Sequence, residues 1–78
     1  MGTIIRYSEV DYKINKNDHN PPHVHAVGRG GVALIDLRSL DVLEVDGFSK
    51  RDMREILEIV KIYHDVLMDE WRTLHNED

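Results

Sequence analysis

The sequence contains no cysteine. Disulfide staples are therefore excluded, and so are zinc sites built on thiolates. Proline occurs only at Pro21 and Pro22, which are neighbours. No segment approaches the roughly 20 apolar residues that a membrane-spanning helix requires. The first residues, Met1-Gly2-Thr3-Ile4-Ile5-Arg6, lack the basic and apolar regions of a secretory leader. With no cysteine, no leader and no span, a cytoplasmic protein with no membrane association is expected. Positive charge is also in deficit: 10 Lys and Arg stand against 15 Asp and Glu, for a net charge of −5. A protein that grips nucleic acid usually carries a basic stripe that neutralises phosphates.

The deficit is uneven. Residues 1–35 hold four basic and three acidic side chains, a balance of +1, whereas residues 36–78 hold six basic and twelve acidic ones, a balance of −6. Three of the five histidines, His19, His23 and His25, fall in the first part, so a contact with RNA belongs there. The acidic remainder repels phosphate and suits a solvated helix face or a basic partner.

At 78 residues the chain is expected to form a single domain, residues 1–78. A domain of this size buries only about 60% of the surface its unfolded chain exposes, so it gains from a metal, a partner or very good packing.

Two hydrophobic periodicities meet near Gly47. Val10, Tyr12 and Ile14 alternate with Asp11 and Lys13, as in a strand with one wet face. Thr3-Ile4-Ile5-Arg6-Tyr7, His23-Val24-His25-Ala26-Val27, Val32-Ala33-Leu34-Ile35-Asp36-Leu37 and Leu40-Asp41-Val42-Leu43-Glu44-Val45 also read as strands. The connections are short, and Gly28-Arg29-Gly30-Gly31 reads as a hairpin turn, so the strands pair as an antiparallel meander. Past Gly47, Ser49-Lys50-Arg51-Asp52 is a helix start signal, with Phe48 placed to staple onto Met53. Met53, Ile56, Leu57, Val60, Tyr63, Leu67, Trp71 and Leu74 then recur at spacings of three and four. The expected fold class is α+β: a meander of 4–5 short strands over residues 3–46, packed against a C-terminal helix over residues 50–75. An unbroken helix of that extent would be about 39 Å long, against a domain only ~30 Å across. It must kink or break near His64, or a second chain, such as another copy in a homodimer through this helix, must cover Trp71 and Leu74.

The loop Asp18-His19-Asn20-Pro21-Pro22-His23-Val24-His25 is the segment that reads as a site. His23 and His25 are two apart on a strand and share a face, with Val24 and Ala26 turned inward. The prolines fix φ and hold the preceding residues extended, which stiffens the loop between His19 and His23. Three chemistries suit this pattern. The histidines can simply brace a turn. His19, His23, His25 and Asp18 can ligate a divalent metal through imidazole and carboxylate. Or His23 and His25, with His19 near, can serve as acid and base on a phosphodiester in a ribonuclease-like reaction, with a cation such as Arg6, Lys16 or Arg29 neutralising charge. His64 and His75 read as surface or boundary residues of the helix.

The loop and its surroundings resemble the domain-of-unknown-function family 4160, a family of small bacterial proteins. The likeness runs from Ile5-Arg6-Tyr7 through the His19-Asn20-Pro21-Pro22-His23-Val24-His25 core and the Ile35-Asp36 strand. It continues through the stretch from Leu43-Glu44 to Gly47 and the acidic run before Trp71. The resemblance implies an arrangement in which the gene lies beside that of a second small protein, as in a type II toxin–antitoxin pair. This chain would then be the toxin and its partner an antitoxin-like protein.

Overall fold

The computed structural model describes residues 3–15 and 19–75. Five strands precede two helices: β1 (Thr3–Tyr7), β2 (Val10–Lys13), β3 (His23–Gly28), β4 (Gly31–Asp36), β5 (Val42–Asp46), α1 (Lys50–Ile62) and α2 (His64–Leu74). The strands form one antiparallel sheet in chain order, β1 to β5. This is the α+β meander the alternation predicts.

Turn chemistry sets the register. Ser8 and Glu9 have φ of 52° and 66°, and Arg29 and Gly30 have φ of 52° and 80°, so both hairpins turn on two left-handed residues. Such turns match the right-handed twist of the strands they join. Gly28 sits where a Cβ would come within 2.1 Å of the Glu9 carbonyl oxygen, so the first hairpin packs directly onto the backbone of β3.

β5 begins two residues later than the hydrophobic pattern suggests. The Asp36 carboxylate accepts from the backbone N–H groups of Arg38 (2.7 Å) and Ser39 (3.2 Å), and the Leu40 N–H donates to the Asp36 carbonyl. Leu40, at φ 64°, and Asp41 therefore belong to the turn.

One face of the sheet carries Val10, Tyr12 and Ile14 of the β2 region, Val24 and Ala26 of β3, and Ala33, Ile35 and Leu37 of the β4 region. All are buried against Ile56, Ile59, Val60, Leu67 and Trp71 of the helices. Burial raises the Tyr12 phenol to a pKa of about 12, with Glu55 reinforcing the effect.

The helix starts as the sequence indicates. Ser49 Oγ accepts from the Asp52 N–H and the Asp52 carboxylate accepts from the Ser49 N–H, both at 3.0 Å, forming a capping box. Arg29 reaches from the β3–β4 turn to Asp52 (2.9 Å) and Glu55 (3.3 Å), tying sheet to helix.

The long helix is interrupted at Tyr63. No proline or glycine lies there; instead His64 Nε2–H donates to the Leu37 carbonyl at 2.5 Å, anchoring the first residue of α2 to the end of β4. The break keeps the domain within 35 × 23 × 20 Å and leaves Trp71 only 1% exposed. A second chain is not needed to cover it.

Candidate functional site

The site is built on the first residues of β3. Val24 and Ala26 are fully buried, so His23 and His25 emerge on the other side of the strand, each half-buried. Their ring centroids lie 5.1 Å apart, with planes inclined by 60°. His23 Nδ1 is 2.8 Å from the Pro21 carbonyl. A carbonyl only accepts, so Nδ1 carries the proton, and in the neutral ring Nε2 bears the lone pair. Pro22 is itself buried, and its carbonyl accepts from the Leu37 N–H at 2.8 Å, which holds the proline pair to the sheet. The Asn20–Pro21 peptide bond is cis.

Behind His23 stands a second layer of rings. Trp71, from α2, has its centroid 5.5 Å from that of His23. His75 stacks on Trp71 at 3.8 Å, with planes within 18°, and its Nδ1–H donates to the Trp71 carbonyl. Four rings, His25, His23, Trp71 and His75, thus run in sequence from strand to helix end. His75, expected at the surface or boundary of the helix, is half-buried. The signal that places it here is its i, i+4 spacing from Trp71, which puts both on one helix face.

Register supplies a cation. Lys13 of β2 is the Cα partner of His25 and shares its face. Arg6 lies in the next cross-strand row, opposite Asp11, to whose carboxylate it is bonded at 2.6 Å. Arg29 is engaged with α1, as described, and Lys16 lies outside the described residues. His19 is exposed, and among the described residues no ring contact joins it to His23. The structure therefore brings together His23 and His25 and adds His75, Trp71 and Lys13.

Among the described residues no group of three or more His, Asp or Glu is placed to hold a metal ion. Asp18, the carboxylate of the metal reading, lies outside them. Among the described residues no helix is long and apolar enough to cross a membrane. A concavity of about 530 Å³ opens elsewhere, among Ser8, Glu9, Arg29, Arg51, Asp52 and Glu55. Of its two cations, Arg29 is already bonded to Asp52 and Glu55, and Glu9 adds a third carboxylate to the lining beside Arg51, so it offers an anion little.

The profile of the domain-of-unknown-function family 4160 matches residues 12–72, which include the whole histidine pair, Trp71 and both helices up to Arg72. The chain belongs to that family. No curated protein and no solved structure matches it.

Proposed function

We propose that the protein is the toxin of a two-protein bacterial module and that it cleaves RNA by acid–base catalysis at His23 and His25. The observation that carries this reading is the pairing of the two imidazoles at 5.1 Å on a rigid strand, with the proton of His23 assigned to Nδ1. Both rings can then reach oxygens of one phosphate.

In the proposed step, His23 Nε2 accepts the proton of a ribose 2′-hydroxyl as its oxygen bonds to phosphorus. The bond from phosphorus to the 5′-oxygen breaks, and the imidazolium of His25 donates a proton to the departing oxygen. The products are a 2′,3′-cyclic phosphate and a 5′-hydroxyl, with protons and charge balanced. Lys13 stands where it can neutralise charge gathering on the phosphoryl oxygens. Holding both groups on one strand supplies the orientation on which such catalysis depends.

A partner fits the same picture. Ile62, Tyr63 and Val66, at the junction of α1 and α2, are 62%, 40% and 50% exposed and form an apolar patch that an antitoxin-like protein can cover.

The test is expression of the chain alone from a tight promoter in a bacterial host. Growth arrest, relieved in His23→Ala and His25→Ala and by co-expression of the neighbouring gene, supports the proposal. Normal growth at high levels of folded protein overturns it.

A further inference from the structure

We infer that the outer edge of β5 is a docking strand for an extended, basic segment of a partner protein. β5 closes the sheet on one side: it pairs with β4, and among the described residues no strand lies on its other side. The backbone groups on that edge are a template for one more strand. Every residue of β5 is exposed, including Val42 (41%), Leu43 (48%) and Val45 (45%). An edge is usually guarded by charged residues, above all lysine, by proline or by a bulge. β5 has no lysine or proline; its charges, Glu44 and Asp46, are both acidic, and its pairing with β4 shifts register between Leu34 and Ile35.

The two faces specify the occupant. Val42 and Val45 pair with Ile35 and Ala33, so they lie on the core face. Ile35 and Ala33 are fully buried, whereas the valines beside them are open. An added strand therefore gains by placing apolar side chains on that face. Glu44 and Asp46 pair with Leu34 and Val32 on the other face, and Asp41 precedes them; no basic residue lies between Asp41 and Phe48. An added strand gains by placing lysine or arginine there.

The charges also disfavour a second copy. The antiparallel self-pairing that matches the whole of β5 sets Glu44 opposite Glu44 of the other copy, and like charges directly opposite are destabilising. The occupant is thus a strand of alternating apolar and basic residues. This surface is separate from the histidine pair and does not depend on what the histidines do.

The probe is a capped octapeptide of alternating valine and lysine. Its controls are the alternating valine–glutamate peptide and a block isomer with four valines followed by four lysines. Backbone amide exchange and chemical shifts are followed by NMR on the full chain. The alternating basic peptide is expected to shift and protect amides of residues 42–46, with weaker effects from both controls. Exchanging both charges (Glu44→Lys with Asp46→Lys), which alters exposed side chains only, is expected to weaken the basic peptide about tenfold and favour the acidic one. Equal binding of the block isomer, or shifts centred away from β5, overturns the inference. So does a concentration-dependent dimer whose protected amides are those of β5, because the occupant is then a second copy.

Discussion

The indole of Trp71 and the imidazole of His75 lie face to face, 3.8 Å apart and 18° from parallel, with the His75 Nδ1–H bonded to the Trp71 carbonyl. This pair closes the end of α2 over the core and backs the ring of His23. Trp71 is the only tryptophan in the chain, so it reports on this contact without interference. His75→Ala is expected to change the intensity of the indole emission and to cost about 0.5–1.5 kcal/mol in urea denaturation. Trp71→Phe keeps a ring in place and is expected to cost less than Trp71→Ala, which removes about 3–5 kcal/mol. Emission unchanged by His75→Ala would show that the rings are not stacked in solution.

The capping box makes a prediction about acid. The carboxyl of Asp52 is held below its ordinary value, first by the backbone N–H of Ser49 and further by the Ser49 hydroxyl and Arg29. A depressed carboxyl contributes stability above its unfolded value, and that contribution is lost as pH falls through the folded value. Asp52→Asn is therefore expected to flatten the acid limb of the stability profile while matching the wild type more closely at low pH. Ser49→Ala is expected to cost about 1 kcal/mol near neutrality, because a first-turn N–H loses its acceptor. A parallel acid limb in Asp52→Asn would remove Asp52 from this role.

Tyr12 gives the opposite sign. Its phenol ionises at about 12 in the fold, from an ordinary value of 10.0, because it is buried. The neutral phenol is favoured by the native state, so the contribution is complete below pH 10 and is lost as pH rises toward 12. Phenolate absorbance is expected to show one of the three tyrosines titrating late, and Tyr12→Phe is expected to abolish that step. A late step that survives Tyr12→Phe contradicts the assignment.

Gly28 is the tightest point of the sheet, at φ 155° with the Glu9 carbonyl where a Cβ would stand. Gly28→Ala is expected to destabilise by about 1–3 kcal/mol, or to prevent folding, through separation of the first hairpin from β3. Gly30→Ala, where a Cβ meets nothing within 4 Å, bears only the cost of its φ of 80° and is expected to lose less. Equal losses would mean that the Glu9 contact does not matter.

Much of this architecture was legible in the chain. Alternation through Val10, Tyr12 and Ile14, and through Val24 and Ala26, marks the buried face directly, and Ser49 and Asp52 announce the helix start. Length against size leaves a break near His64 or a covering second chain, and the helix breaks at Tyr63. Two features were hidden. The start of β5 depends on the Asp36 carboxylate bonding to Arg38 and Ser39, a local competition that hydrophobic patterning does not register. The company of His23 depends on α2 turning back over the end of the sheet, which brings Trp71 and His75 to a histidine some fifty positions earlier. Likewise Lys13 is the cross-strand neighbour of His25, because register and not proximity in sequence decides such pairs.

The most direct test of the histidine chemistry is cleavage of a defined single-stranded RNA by purified protein in the presence of a chelator, with analysis of the new ends. The expected result is cleavage leaving 2′,3′-cyclic phosphate and 5′-hydroxyl ends, lost in His23→Ala and in His25→Ala, and reduced about tenfold or more in Lys13→Ala. Intact RNA, or cleavage that persists when either imidazole of the pair is removed, would contradict it.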